Sequence, residues 1–293
     1  MSDDRLPFTG ERFTPECVRE IWYEHWHRYA FARTLAAGRR VLDAACGEGY
    51  GSALLAQVAA DVVGVDIDPL AIAHAAARYG TQSHLRFECA DASALQFPDR
   101  SFDLVTSFET LEHLAAQEEL VAGFARVLAD DGVLVISSPD KRTYSEQAGF
   151  RNEYHVRELY REELLDLLLP HFGEVRLYAQ KLLFQSALWA LDGAPARAEA
   201  HTGAADGSLA EGFDHAPMYY VAVCARRVLP DALPDVSLFG DREESVYAHY
   251  NHEIRKNMGA GARIAELEAE VERLRLAAAP APARDWRWWR RNR

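Results

Sequence analysis

The chain has 293 residues, of which 49% are hydrophobic and 26% charged, a composition that excludes a disordered or collagen-like protein. Its formal net charge of −13 argues against a protein that holds nucleic acid through bulk charge. No apolar run approaches the length of a membrane span, and no signal-peptide pattern opens the chain. Four cysteines without a CxxC pair suit a reducing compartment, so we expect a cytoplasmic protein.

The first predicted element is a helix over residues 14–35, with Thr14 as its N-cap and Pro15 as its first residue. Together with the loop that precedes it, this helix forms a segment, residues 1–35, that lies outside the main alternating pattern. We expect it to act as a cap that covers a site.

Strands and helices then alternate over residues 36–228, which predicts an α/β fold with a mostly parallel sheet and helices on both faces. The strand-like runs are 40–44, 61–66, 84–89, 102–107 and 132–137, followed by 174–178 and 218–226. The last two could pair antiparallel. Residues 192–217 are small, polar and aperiodic, so we interpret them as a long, mobile insertion loop.

The most specific motif is VLDAACGEGYGS at 41–52, where a buried strand ends at Asp43 and a helix can begin near Tyr50. Its three glycines, Gly47, Gly49 and Gly51, permit a tight turn and close approach of a ligand to backbone N–H groups. Asp66 ends the next strand, a spacing that suits a carboxylate on ribose hydroxyls. Asp43 would repel a pyrophosphate and attract an ammonium group, which favours S-adenosylmethionine over a dinucleotide.

These motifs resemble those of class I S-adenosylmethionine-dependent methyltransferases, over roughly residues 36–228. The resemblance implies a Rossmann-like fold with a seven-stranded sheet and S-adenosylmethionine as cofactor. It also implies a role for Asp91 on the adenine amino group, for Ala92 on the adenine ring and for Phe108 at the methionine end. The full set of expected cofactor-binding residues is Asp43, Ala45, Gly47, Gly49, Gly51, Asp66, Ile67, Asp91, Ala92 and Phe108.

After the fourth strand, Glu109, Glu112 and His113 stand at helical spacing, and His155 follows in a later loop. Carboxylates and imidazoles can hold a divalent metal such as Mg²⁺. The pattern resembles two methyltransferase groups that act on neighbouring oxygens, one on a catechol and one on the terminal 2′-hydroxyl of small RNAs. Two alternatives stay open: His113 or His155, with Glu112, acts on the acceptor without a metal, or the group is structural.

The N-terminal segment, TGERFTPE followed by WYEHWHRYAFA, resembles methyltransferases that occur with polysaccharide biosynthesis enzymes. The resemblance implies that Arg12, Tyr23 and His27 face the cofactor or the acceptor. The alternative is that the aromatic side chains only pack this helix on the domain.

At the C-terminus we expect a linker and helix over 229–258 and a short coiled coil with a basic, aromatic tail over 259–293. Ile264, Leu267, Val271 and Leu274 have heptad spacing, which predicts a homo-oligomer contact or a plain amphipathic helix. Residues 284–293 carry a net charge of +4, and their indoles suit a membrane surface or a protein partner. Those indoles belong to Trp286, Trp288 and Trp289.

The sequence therefore predicts an S-adenosylmethionine-dependent O-methyltransferase. The preferred acceptor is a sugar hydroxyl of a bacterial surface polysaccharide or its precursor, which would place the enzyme in the cytoplasm, at the inner face of the membrane. The alternatives are an O- or N-methyltransferase of a small molecule such as a quinone or secondary metabolite, RNA 2′-O-methylation, which the acidic body disfavours, and a non-catalytic scaffold.

Overall fold

A computed structural model describes residues 20–149, 151–188, 199–231 and 233–278. The chain divides into two compact units, Met1–Gly240 and Asp241–Arg293. Arg12, the predicted helix start at Thr14 and the tail that contains Trp286, Trp288 and Trp289 lie outside the described residues. These predictions therefore stay predictions.

The first unit contains a seven-stranded sheet with the order β3-β2-β1-β4-β5-β9-β6. The strands are β1 Arg40–Ala44, β2 Asp61–Asp66, β3 Leu85–Cys89, β4 Phe102–Ser107, β5 Leu128–Pro139, β6 Glu174–Gln180 and β9 Tyr219–Ala225. Strands β1 to β5 are parallel, while β9 runs antiparallel to both β5 and β6. The predicted seven-stranded, mostly parallel sheet is confirmed, including the antiparallel pairing of its last two strands.

Helices cover both faces of this sheet, because the central strands β1, β4 and β5 are apolar on both sides. The helices of the first unit are α1 Glu20–Ala36, α2 Tyr50–Ala56, α3 Pro69–Tyr79, α4 Gln117–Val127 and α5 Arg161–Leu168. One core cluster joins α1 and α2 to the sheet, and the other joins α4 and α5 to its opposite face. Asp68 caps α3 by accepting from Leu70 N at 2.8 Å, and Pro69 is its first residue.

The segment between β6 and β9 differs from the prediction of an aperiodic loop over 192–217. Two short strands, β7 His201–Gly203 and β8 Leu209–Glu211, pair antiparallel as a hairpin. Residues 189–198 lie outside the described part of the chain. The insertion begins and ends at one hydrogen bond, in which Met218 N donates to Gln180 O at 3.0 Å.

The first compact unit extends to Gly240, beyond the predicted domain boundary at residue 228. Tyr178 on β6 donates its hydroxyl to Pro234 O at 2.9 Å, Leu233 is buried, and Phe239 stacks on His27 of α1, so this segment packs on the first unit. In the described part of the second unit, helix α6 Ser245–Ala278 is continuous across the predicted boundary at 258/259. Along α6 the four heptad side chains are about half exposed. The described residues therefore confirm a C-terminal helix, and the coiled coil stays a prediction.

Two further observations concern the whole described chain. Cys46, Cys89 and Cys224 are free thiols. None of the described helices combines the length and the apolar character that a membrane crossing requires.

Candidate active site

Most predicted site residues gather at the edge of the sheet where β1 to β5 have their carboxyl ends. In open α/β sheets this edge is where ligands bind. The end of β6, at Gln180, and the start of β9, at Tyr219, lie at the same edge because β9 is antiparallel. Helix α1 packs beside the glycine loop, since the ring of Tyr29 lies directly against Gly51.

The loop after β1 contains three residues with a left-handed backbone, Ala45, Gly47 and Gly49. Gly49 has no room for a side chain, because an added Cβ would lie 2.7 Å from the Cβ of Ala75 on α3. Gly51 also has a structural role. A Cβ there would lie 2.0 Å from the ring of Tyr29, so this glycine permits α1 to dock, and its predicted contact with the cofactor stays a prediction.

Glu48, between the first two glycines, is a site residue that sequence reasoning missed. It is buried and accepts hydrogen bonds from Arg78 Nη1 at 2.8 Å and from the Tyr79 hydroxyl at 3.0 Å. His74 Nε2 lies 3.0 Å from the same carboxylate. Three polar residues on one face of α3 therefore fix the middle of the glycine loop. The i, i+4 spacing of His74 and Arg78 was the sequence signal that could have indicated a shared contact on this face of α3.

Asp43 lies beneath this loop and is fully buried. Three hydroxyls from three elements donate to it: Ser52 at 2.6 Å, Thr106 at 2.8 Å and Tyr29 at 3.1 Å. Burial raises the pKa of Asp43 to about 6, although the three hydroxyls oppose the increase. These contacts give Asp43 an internal role that joins α1, α2 and β4. Direct contact with a cofactor ammonium stays a prediction that the contacts do not favour.

The residues predicted for the adenosine half of the cofactor occupy the rim at β2 and β3. Asp66 accepts from Gly47 N and from Asp68 N, both at 2.9 Å, which leaves each carboxylate oxygen with further acceptor capacity. Ile67 is 68% exposed at the same rim. Asp91 caps a short 3₁₀ turn, and Ala92 is buried beside it. This set fits a ribose and an adenine.

Phe108, the residue predicted for the methionine end, and Glu109 directly follow β4. Phe108 is buried, and its ring centroid lies 5.0 Å from that of Tyr29. Glu109 has a left-handed backbone and accepts from Arg28 Nη1 at 2.5 Å. Burial alone would raise the pKa of Glu109, but the charge of Arg28 together with the imidazoles of His25, His113 and His155 outweighs it, so the pKa is lowered.

The prediction that four residues, Glu109, Glu112, His113 and His155, hold a metal is therefore wrong for Glu109. Residues 111–113 form a single 3₁₀ turn and not the helix that the spacing suggested, and Glu109 turns away to Arg28. Glu112, His113 and His155 do come together, with candidate ligand atoms within 4.8 Å of one another. Glu109 and Glu112 are three residues apart, but the left-handed backbone of Glu109 before the turn directs the two side chains to different places.

The three clustered side chains are held in place by neighbours. His113 Nδ1 lies 3.1 Å from Tyr154 O, and His155 Nδ1 lies 2.6 Å from Glu158 Oε1. Glu112 is fully buried, yet neither of its carboxylate oxygens has a hydrogen-bond partner among the described residues. Burial, followed by the charge of Glu109, raises the pKa of Glu112. An orphaned buried carboxylate beside two oriented imidazoles fits a cation.

The structure places two of the three predicted acceptor residues elsewhere. His27 Nε2 lies 2.9 Å from Ser237 Oγ, and its ring stacks on Phe239. Tyr23 also packs edge-on against Phe239. Together with Phe31 and Pro234, His27 lines a separate cavity of about 400 Å³ on another face of α1. For these two residues, packing of the helix is the better description.

Another face of α1 carries polar residues that sequence reasoning missed. Arg28 donates from Nε to Gln180 Oε1 at 2.7 Å, and its guanidinium lies 4.4 Å from the centroid of the Tyr219 ring. Burial raises the pKa of Glu24 to about 7, although Arg28 opposes the increase. The ring of Tyr144 lies between His155 and Tyr219, at 5.3 and 5.7 Å. One polar cluster thus runs from α1 to the candidate cation site.

The sheet order, the glycine loop and the acidic residue after β2 together define the fold of class I S-adenosylmethionine-dependent methyltransferases. Residues 42–136 match the family described as a methyltransferase domain.

Two mycobacterial proteins are among the chain's similar relatives. A Mycolicibacterium smegmatis protein, named as a probable S-adenosylmethionine-dependent methyltransferase, is 39% identical over 56% of this chain and 63% of its own. A Mycobacterium tuberculosis protein with the same description is 38% identical over 56% of this chain and 60% of its own. The matched segment thus spans about three fifths of these relatives.

Solved structures share the fold. YcgJ from Bacillus subtilis is 20% identical and aligns over 70% of this chain and 100% of its own, with a TM-score of 0.50. An S-adenosylmethionine-dependent methyltransferase from Thermotoga maritima is 19% identical and aligns over 70% and 90%, with a TM-score of 0.50. At this identity the likeness concerns the fold alone.

Proposed function

We propose that the protein is an S-adenosylmethionine-dependent O-methyltransferase. The observation that carries the proposal is the juxtaposition, at one edge of the sheet, of a rim that fits adenosine with the Glu112–His113–His155 cluster. The domain match over 42–136 and the names of the mycobacterial relatives support the cofactor and the reaction class.

The residues divide the chemical work. Asp66 accepts from the ribose hydroxyls, and the exposed side chain of Ile67 packs on the adenine. S-adenosylmethionine, when bound, supplies an electrophilic methyl group on sulfur. In the metal-free alternative, His155, oriented by Glu158, or His113, oriented by Tyr154 O, accepts the proton of the acceptor hydroxyl.

A divalent cation is part of this proposal because Glu112 is a buried carboxylate to which none of the described residues donates a hydrogen bond. Glu112, His113 and His155 would hold it, and its chemistry is to lower the pKa of a coordinated hydroxyl. With Glu109 removed from the set, one carboxylate and two imidazoles remain. This mixed oxygen and nitrogen set suits Mn²⁺, Fe²⁺ or Zn²⁺ better than the Mg²⁺ expected from four residues.

The acceptor we propose is a sugar hydroxyl of a bacterial surface polysaccharide or its lipid-linked or nucleotide-linked precursor. The alternative acceptor is a small molecule. Named relatives favour this alternative, among them a 2-methyl-6-phytyl-1,4-hydroquinone methyltransferase of Synechocystis, 34% identical over 37% of this chain and 35% of its own. A phosphoethanolamine N-methyltransferase of Arabidopsis thaliana is 30% identical over 45% of this chain and 29% of its own.

We also propose that α6 joins copies of the chain and that the basic tail binds an anionic membrane surface or a protein partner at the cytoplasmic face. The exposed heptad side chains of α6 support the first part. The sequence of residues 284–293 is the basis of the second.

Transfer of tritium from labelled S-adenosylmethionine tests the reaction and the acceptor together. Two acceptor pools, extracted surface glycans and a quinone-containing lipid extract, are compared with and without EDTA. We expect label in the glycan pool and loss of transfer in EDTA, with recovery on addition of Mn²⁺. Label in the lipid extract alone would favour the small-molecule acceptor, and no label in either pool would favour the scaffold.

A variant pair separates the cation from a metal-free base. Glu112→Gln removes the carboxylate charge at the cluster, whereas Glu118→Gln makes the same change on exposed α4. We expect Mn²⁺ to raise the melting temperature of the wild type and of Glu118→Gln, and not of Glu112→Gln. Full transfer in EDTA, with no metal found by mass spectrometry, would remove the cation and leave the histidines as base.

A further inference from the structure

Arg28 has more hydrogen-bonding capacity than its neighbours in the chain use. Nε donates to Gln180 and Nη1 donates to Glu109, but the buried Nη2 has no acceptor within the described ranges. A buried guanidinium nitrogen without an acceptor is unfavourable. An acceptor oxygen from a ligand would therefore stabilise this position.

Glu109 is held beside Arg28 in an unusual conformation. Its φ of 50° is in the left-handed region, which residues other than glycine rarely adopt. Ser137 stabilises this conformation, because its Oγ accepts from Glu109 N at 3.0 Å. The side chain of Glu109 is 22% exposed, so the carboxylate keeps an open side while it is paired with Arg28.

The pair lies at the β4 side of the glycine loop and not at the rim formed by Asp66 and Ile67. Tyr29, the neighbour of Arg28 in α1, contacts both Gly51 and Phe108, and Glu109 directly follows Phe108. A cofactor whose ribose lies on Asp66 would extend its methionine end toward this side. Asp43 is poorly suited to that end, because it is buried and already accepts from three hydroxyls.

A methionine moiety carries an α-carboxylate and an α-ammonium group on one carbon, and the two side chains offer one group of opposite sign for each. We propose that Arg28 binds the α-carboxylate through Nη2 and that Glu109 binds the α-ammonium group of the cofactor; this assignment rests on the proposed function. Guanidinium and carboxylate groups are well matched for such charged hydrogen bonds. Helix α1 then takes part in cofactor recognition as well as in capping the domain.

Three probes that differ only at the methionine end test the assignment by titration calorimetry. S-adenosylhomocysteine has both charged groups, decarboxylated S-adenosylmethionine lacks the carboxylate, and 5′-methylthioadenosine lacks both. We expect Arg28→Lys to weaken S-adenosylhomocysteine about 10- to 100-fold, since the loss of a charged hydrogen bond has this size. Its affinity for the other two probes should change less than about threefold.

Glu109→Gln should weaken S-adenosylhomocysteine and decarboxylated S-adenosylmethionine, and leave 5′-methylthioadenosine unaffected. Arg40→Lys is the matched control, because Arg40 pairs with Asp103 at the opposite edge of the sheet. Retained binding of 5′-methylthioadenosine shows that each variant is folded. Equal losses for all three probes, or no loss for any, would overturn the assignment, whereas a wild type that binds none of them would overturn the proposed function.

Discussion

Replacement of Tyr29 by Phe isolates one hydrogen bond of the buried Asp43 carboxylate. The hydroxyl of Tyr29 lies 3.1 and 3.3 Å from the two oxygens of Asp43, while its ring packs on Gly51. Phenylalanine keeps the ring and removes the donor. A hydrogen bond to a charged group contributes about 1.5–3 kcal/mol, and one to a neutral group about 1 kcal/mol. The loss should therefore depend on whether Asp43 is ionised.

The pKa of Asp43 is about 6 in the folded protein and lower in the unfolded chain, because burial favours the protonated form. The stability that protonation contributes is present below the unfolded pKa and is lost as the pH rises through about 6. Tyr29→Phe raises the folded pKa further, so the loss continues to higher pH. We expect the free energy of unfolding to fall by about 1 kcal/mol at pH 5 and by about 2–3 kcal/mol at pH 8.

Urea unfolding at the two pH values measures this difference. Tyr178→Phe is the control, because Tyr178 donates to the carbonyl oxygen of Pro234, which does not titrate. Tyr178→Phe should lower the free energy of unfolding by the same amount at pH 5 and at pH 8. If Tyr29→Phe shows equal losses at both values, Asp43 does not carry a charge that these hydroxyls stabilise, and the argument fails.

Three further predictions follow from the same site. Gly51→Ala should destabilise the protein by about 3 kcal/mol in urea, because its Cβ would overlap the ring of Tyr29, and normal stability would refute the docking of α1. Asp66→Ala should weaken S-adenosylhomocysteine by about 2–4 kcal/mol in calorimetry, and an unchanged affinity would contradict the placement of ribose at β2. Deletion of 260–293 should leave the melting temperature unchanged and lower the oligomer size in light scattering, since the heptad side chains of α6 are exposed; a deletion that unfolds the protein would show that this segment belongs to the core.

The sheet could be predicted from sequence because each central strand is a short apolar run, bounded by turns or caps that are local signals. The start of α3 is one example, since Asp68 caps the helix and Pro69 is its first residue. The rim residues Asp66 and Asp91 were also predictable, since a strand end fixes where the next side chain lies.

Contacts between distant elements could not be predicted in this way. Nothing local to VLDAACGEGYGS indicates that Tyr29 of α1 donates to Asp43, or that Gly51 is small because of the same ring. Glu109 illustrates a second limit. Its spacing to Glu112 suggested one helical face, but the left-handed backbone at Glu109 sends the side chain to Arg28. Arg28 and Glu109 are 81 residues apart, so their pairing leaves no periodic pattern in the sequence.

The long segment between β6 and β9 is attached to the sheet in a way that would permit its replacement by another segment. Its two ends are joined by the hydrogen bond from Met218 N to Gln180 O, and β6 and β9 pair along their whole length without it. Residues 181–217 can therefore be lengthened, shortened or grafted from another protein while the ladder stays in register. Gln180 marks the limit of such a graft, because its side chain also binds Arg28 and Glu24 O. The architecture thus separates a fixed sheet from an insertion whose length can change without disturbing that sheet.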